Sequence, residues 1–125
     1  MSSAPTSFAE WQTYPLTLDP IHVAWLKQAK QAKTAFAVAD IEGIKISHKR
    51  FLTGVLLFAK KIKTYSPEQN VGFLLPSSGG GAIASMAILS LGKTLVNLNF
   101  TAGKKALQSA VEQAEVKHIY TSRKF

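Results

Sequence analysis

Between Val71 and Phe125 the chain alternates between two kinds of segment, and this restricts its fold more than any other feature. Val71–Leu75 is a short apolar run closed by Pro76 and the cluster Ser77-Ser78-Gly79-Gly80-Gly81. An apolar stretch of helical length, Ala82–Leu91, follows and stops at Gly92. Thr94–Leu98 is a second β-like run, an amphipathic helical pattern comes next, and His118–Thr121 is a third β-like run. Strand-like runs separated by helix-length segments build a parallel sheet, because parallel neighbours need a long crossover that a helix supplies. The expected fold class is therefore α/β: a parallel βαβαβ core with strands near 71–75, 94–98 and 118–121 and right-handed crossovers. The third strand comes only as the sequence closes, so the segment reads as the opening piece of a larger domain.

Upstream, the pattern predicts an N-terminal helix and a small β pair. Met1–Leu18 is polar with scattered aromatics (Phe8, Trp11, Tyr14) and reads as an extended arm, residues 1–18, pinned onto the body. Asp19-Pro20 offers a capping carboxylate followed by proline at the first helical position, with Ile21, Ala24, Trp25 and Gln28 along one face of a helix to about Lys33. Thr34–Ala39 and Ile44–Ile46 read as strands joined by the turn Asp40-Ile41-Glu42-Gly43. Ser47 is the expected cap of a helix carrying Phe51, Leu52, Val55, Leu56, Ala59 and Ile62 at helical spacing, with Lys60, Lys61 and Lys63 in its last turn.

Ala82–Leu91 has no polar face, since only Ser85 and Ser90 interrupt it. A helix apolar all round is covered on all sides. The expectation is that structure outside this chain covers it, and that the isolated chain self-associates as a homo-oligomer, with a dimer as the commonest form. The next helix, with Ala106, Leu107, Ala110, Val111 and Ala114 inward, reads as an ordinary surface helix.

Composition narrows the function. Hydrophobic residues make up 46% of the chain, which belongs to a folding globular protein. There is no cysteine, so disulfides, thiolate zinc sites and a cysteine nucleophile are excluded, and a cytoplasmic setting is expected. The start, MSSAPTSFAEWQ, lacks the basic region and apolar core of a signal peptide, and the longest apolar stretches fall short of the roughly 18–20 residues that span a bilayer. Net charge is +8, from fifteen basic residues of which only Arg50 and Arg123 are arginine. Arginine is what nucleic-acid readers use for bidentate contacts, so nucleic acid is not expected as a partner. Most lysines read as solvated helix faces, with an acidic protein or an anionic membrane surface as the partners the charge would suit.

No constellation carries chemistry by itself. The Ser77–Gly81 cluster invites an anion-binding reading, but no lysine completes a phosphate loop, and Ala84 stands where G-x-G-x-x-G needs its third glycine. A capped helix start with small residues for close packing is the favoured alternative. His22, His48 and His118 have no partner at metal-ligand spacing, and Asp40 and Glu42 read as turn residues. No serine lies in G-x-S-x-G. Asn99-Phe100-Thr101 matches the glycosylation triplet, with Thr101 better read as a helix cap. No catalytic, cofactor-binding or metal-ligating residue is assigned.

The order of D-x-E-G strands, an S-H-K-x-F helix, V-G-F-L-L-P and an apolar helix ending in L-G-K over residues 18–125 resembles the beginning of adenylate-forming (AMP-binding) enzymes, the acyl-CoA synthetase superfamily. Pro76-Ser77-Ser78 stands where that family has P-N-S, and Asn97–Thr101 where it has P-L-N-P. The segment Asn99–Phe125, with N-F-T-A-G, an A-E-V-K helix end and T-S-R, looks closely like the synthetase part of bifunctional 2-acylglycerophosphoethanolamine acyltransferase/acyl-acyl carrier protein synthetases. The resemblance implies that residues 19–125 are the N-terminal, incomplete subdomain of an adenylation domain. It implies a ligase that activates a fatty acid with ATP and Mg2+ to an acyl-adenylate, passes it to acyl carrier protein, and re-acylates lysophospholipid in the cytoplasm or at the cytoplasmic face of the inner membrane. The family's T-S-G-T-T-G-x-P-K loop, its Y-G-x-T-E segment, its ribose-binding Asp and its C-terminal Lys are not in this chain. Tyr120-Thr121-Ser122 is followed by Arg123-Lys124-Phe125 and is the end of the third strand in the family pattern. The implied role is thus scaffold, inactive alone and binding no cofactor, with the rest of the adenylation domain as its partner. The alternatives are a free-standing α/β module that docks an acidic carrier protein or anionic lipid, and a small-ligand binder using the Ser77–Gly81 turn.

Overall fold

The computed structural model describes residues 6–13 and 18–123. Its elements in chain order are α1 (Phe8–Thr13), α2 (Ile21–Gln31), β1 (Phe36–Ala39), β2 (Lys45–Ser47), α3 (His48–Tyr65), β3 (Asn70–Leu74), α4 (Gly79–Ser90), β4 (Thr94–Asn97), α5 (Lys104–Gln113) and β5 (Ile119–Thr121). The α/β architecture is the expected one. β1 and β2 form an antiparallel pair, and β4, β3 and β5 form a parallel sheet with β3 in the middle. Val71 is opposite Leu95 on one side of β3, and Phe73 is opposite Tyr120 on the other.

A sheet ordered β4-β3-β5 with right-handed crossovers carries its two connecting helices on opposite faces. The packing is of that kind. α4 lies against α3, α2, β1, β3 and β4, whereas α5 borders a groove with Leu74, Leu98 and Ile119. The core sits on the α3–α4 face, where Phe51, Val55, Ala59 and Ile62 of α3 meet Val71 and Phe73 of β3 and Ala84, Ala87 and Ile88 of α4. Strand alternation sends Val71 and Phe73 to this face together.

Several local expectations are corrected. Part of the arm is helical: α1 opens with a capping box in which Ser7 Oγ accepts from the Glu10 N–H at 3.3 Å and Glu10 Oε2 accepts from the Ser7 N–H at 3.0 Å. Those backbone N–H bonds from Thr6 and Ser7 hold the Glu10 carboxyl below its ordinary value. Phe8 is exposed, and the Trp11 side chain and Tyr14 lie outside the described residues. Pro20, not Asp19, occupies the N-cap of α2, and Asp19 reaches Lys27 Nζ at 2.6 Å. Lys63 alone lies in the last turn of α3, because the helix runs on to Tyr65. β1 starts at Phe36, two residues later than the apolar pattern indicated.

The largest correction concerns α4. Its apolar residues are buried or half-buried, and only Gly80 and Ser90 are exposed. The cover comes from this chain's own α2, α3 and strands, so the exposed surface invoked for self-association is not on α4. The less covered helix is α5, which has no buried residue and leaves Ala106 exposed.

Candidate functional site

In a parallel sheet all strands end on the same side, and here the carboxyl ends of β3, β4 and β5 meet the Asp40–Gly43 turn. The chain leaves β3 toward β4 and returns past it to β5. The crevice between the ends of β3 and β5 is thus a topological switch point, where open α/β sheets place ligands. A cleft of about 710 Å³ lies there, walled by Ile41, Phe58, Leu75, Ser77, Tyr120 and Arg123. A second, of about 900 Å³, lies on the β4 side, walled by Ile41, Ser85, Asn97, Asn99 and Phe100. Leu75–Ser78, the segment after β3, is the partition between them.

That partition is held at its α4 end by two side chains. Ser78 caps α4, its Oγ accepting from the Gly81 N–H at 3.1 Å. Asp40 Oδ1 accepts from the N–H groups of Glu42 (3.1 Å) and Ile44 (3.0 Å), which closes the β1–β2 turn with Gly43 at φ 81°. Its other oxygen, Oδ2, accepts from the Gly79 N–H at 3.3 Å. One carboxylate therefore ties the hairpin to the start of α4 and places negative charge where the helix dipole favours it. The Gly79 N–H that an external anion would use is taken by the chain itself, which favours the capped helix start over the anion-binding reading of Ser77–Gly81. The glycines belong to the first turn of α4, not to a loop before it.

The floor of the β3–β5 cleft is fixed by Tyr120. Its hydroxyl lies 2.7 Å from Oγ of fully buried Ser66, and its ring meets Phe58 edge-on at 5.3 Å. On the β4 side Asn99 Oδ1 accepts from both the N–H and the hydroxyl of Thr101, at 2.9 and 2.7 Å. Thr101 is therefore held in an Asx turn, and Gly103 at φ 82° is the N-cap of α5 instead. Two of the histidines are structural: His48 Nδ1 accepts from the Trp25 indole N–H at 3.2 Å, and His118 Nδ1 lies 2.6 Å from Glu68 Oε1. These long-range partners, and the reach of Asp40 to Gly79, have no local signature.

Burial pushes the Glu68 carboxyl up, but its own backbone N–H, the His118 imidazole and Lys93 outweigh that and hold it below its ordinary value of 4.5. A carboxylate depressed in the folded state stabilises the fold above its unfolded pKa, and that contribution fades as pH falls through the depressed value. Thermal melts from neutral pH to about pH 3 are expected to show an acid limb that Glu68→Gln flattens. A limb of unchanged steepness in the variant would assign the acid sensitivity to other carboxylates.

Among the described residues no group of three or more His, Asp or Glu side chains could hold a metal ion. With Asp40 committed to three backbone bonds, the clefts offer apolar walls, hydroxyls, amides, the Arg123 guanidinium and the Glu42 carboxylate. That set can shape and orient a bound group, and it contains no assembled acid–base pair.

No family profile matches the chain. Solved structures do. The N-terminal subdomain of Klebsiella oxytoca NpsA in complex with 3-hydroxybenzoyl-AMSN matches 84% of this chain with a TM-score of 0.77 at 12% identity. The nonribosomal peptide synthetase FmoA3, with alpha-methyl-L-serine-AMP bound, matches 89% with a TM-score of 0.77 at 15% identity. Holo-PA1221, a nonribosomal peptide synthetase protein containing adenylation and PCP domains, matches 82% with a TM-score of 0.67 at 18% identity. The chain spans 27% of the NpsA structure, 13% of FmoA3 and 18% of PA1221. The fold of this chain is thus the one found in part of the N-terminal subdomain of adenylation proteins.

Proposed function

We propose that the chain is the opening portion of the N-terminal subdomain of an adenylate-forming ligase, and that its own work is to build one wall of that enzyme's substrate clefts. The observation that carries this is the fold match over 84% of the chain to a subdomain of which it covers 27%. The Asn99–Phe125 residues support the finer reading, a fatty acid–acyl carrier protein ligase that serves phospholipid re-acylation in the cytoplasm or at the inner face of the membrane. Its partners would be the rest of the adenylation domain and acyl carrier protein; PA1221, one of the structural matches, contains both adenylation and PCP domains.

ATP and Mg2+ do not fit the residues described here. The start of α4 is filled by Asp40, and no acidic cluster among the described residues suits a cation. ATP and Mg2+ would supply the activating chemistry from residues outside this chain. What this chain does is mechanical: Asp40 and Ser78 fix the Leu75–Ser78 partition, and Tyr120 fixes the floor beside it.

The expected result is that the purified chain gives no ATP–pyrophosphate exchange with a long-chain fatty acid above a no-protein control. Exchange above that control would overturn the fragment reading. Coding DNA that continues in frame past codon 125 into T-S-G-T-T-G supports the reading. A second reading, a free-standing binding module, is favoured by the internal cover of α4, and an immediate stop codon would support it.

A further inference from the structure

Helix α3 has two unlike sides. Phe51, Val55, Ala59 and Ile62 face the core, and the opposite side exposes Lys49, Arg50, Lys60, Lys61 and Lys63 around Leu56 and Leu57. The two leucines are 62% and 67% exposed. At 100° per residue they share the outward arc with all five cations. No acidic residue occurs between Glu42 and Glu68, so nothing on the helix neutralises the field. The two threonines on this face turn their hydroxyls inward, Thr53 to the Lys49 carbonyl at 3.1 Å and Thr64 to the Lys60 carbonyl at 3.0 Å. What remains toward solvent is methyl groups and the positive charge of four ammonium groups and one guanidinium.

The charge continues sideways. Beside the first turn of α3 a groove of about 310 Å³ runs against α2, with Leu26, Ala29 and Leu52 as apolar lining and Lys30, Lys33 and Lys49 around it. His48 also lines it. Because His48 Nδ1 accepts from Trp25, the neutral ring carries its proton on Nε2 and is a further donor.

We propose that the outward side of α3, with the groove it shares with α2, docks on an anionic lipid bilayer. Acidic proteins would also meet this charge, but protein interfaces are enriched in arginine and aromatic residues and depleted in lysine at their centres. This face has the reverse balance of cations, four lysines to one arginine, and the one exposed aromatic of α3, Tyr65, lies at the helix's C-terminal end. Lysines spread along a helix suit a laterally mobile array of lipid charges, and two leucines between them enter the headgroup boundary. The inference uses only α2 and α3 and stands under either reading of the chain's function.

The test is co-sedimentation of the full chain with vesicles of phosphatidylglycerol and phosphatidylcholine in equal parts, against pure phosphatidylcholine. Binding is expected only to the anionic vesicles and is expected to fall steeply as salt rises to about 0.5 M. Lys60→Glu/Lys61→Glu is expected to weaken it by at least roughly 20-fold, taking about fivefold per basic residue. Lys104→Glu/Lys105→Glu on α5 changes net charge equally and is expected to retain most of the binding. Leu56→Ser/Leu57→Ser should weaken binding without altering its salt dependence. No partition onto anionic vesicles at low salt would overturn the proposal, and so would equal losses in the α3 and α5 variants. An acidic helical peptide that binds this face when vesicles do not would reassign it to a protein partner and overturn the lipid assignment.

Discussion

Ile88→Ala is expected to destabilise the chain by about 2–5 kcal/mol, the range for truncating a buried isoleucine. Ile88 is 0% exposed and belongs to the cluster where α3, α4 and β3 meet. The elements around it are themselves braced: α3 by its Ser47 cap, α4 by Ser78 and Asp40, β3 by strands on both sides. They cannot close inward to refill the space, so most of the cavity cost should persist. A domain of this size keeps only about 5–15 kcal/mol in total, so the variant would lose a large share of its stability. Leu57→Ala on the exposed side of α3 is the comparison, expected within about 0.5 kcal/mol of the parent. Urea midpoints at constant m-value measure both. Equal losses in the two variants would mean that α4 is not a core helix.

The βαβαβ order was legible because each part of it is a local pattern. Val71–Leu75, Thr94–Leu98 and His118–Thr121 are short β-like runs bounded by breakers, and the three strands fall within a residue of those bounds. Ser47 was legible for the same reason, since its Oγ bonds the N–H only three residues on, at Arg50. The errors have a common cause in competition between neighbours. Asp19 is drawn to Lys27, leaving Pro20 at the cap, and Thr101 is captured by Asn99 before it can cap α5. The capped helix start expected at the Ser/Gly cluster is found, but the apolar stretch put the helix at Ala82, and the Ser78 cap and packing against β2 and β3 carry it back to Gly79.

The candidate site was hardly legible, because its walls come from segments far apart in the chain. An apolar helix declares that it is covered, and says nothing of what covers it. For α4 the main cover is α3, with α2, β1, β3 and β4 completing it, so external structure was inferred where the chain supplies its own. Asp40 announced a turn through D-x-E-G, but its second oxygen bonds Gly79, thirty-nine residues on. Tyr120 and Ser66 are fifty-four apart. No periodicity in the sequence encodes such pairs.

Two adjacent glycines give a prediction in which the same substitution has opposite signs. Gly80 and Gly81 both lie in the first turn of α4, where alanine is intrinsically better than glycine by about 1 kcal/mol. A Cβ at Gly80 meets nothing nearer than Ser78 Oγ at 4.0 Å, so Gly80→Ala should stabilise by about 0.4–1 kcal/mol. A Cβ at Gly81 would sit 2.6 Å from the Pro76 carbonyl oxygen, closer than real Cβ contacts come. That oxygen is backbone, in the partition between the two clefts, and cannot swing aside as a flexible side chain would. Phe73 Cζ, at 3.6 Å, stands against the same point. Relief requires the Leu75–Ser78 segment to move, which strains the Ser78 cap and the Asp40–Gly79 bond together. Overpacking of this kind costs about 1–3 kcal/mol and exceeds the helix-propensity gain, so Gly81→Ala should be destabilising. The two variants should therefore melt on opposite sides of the parent. If both melt above it, the partition is soft, and the clefts beside it are not held by the geometry described.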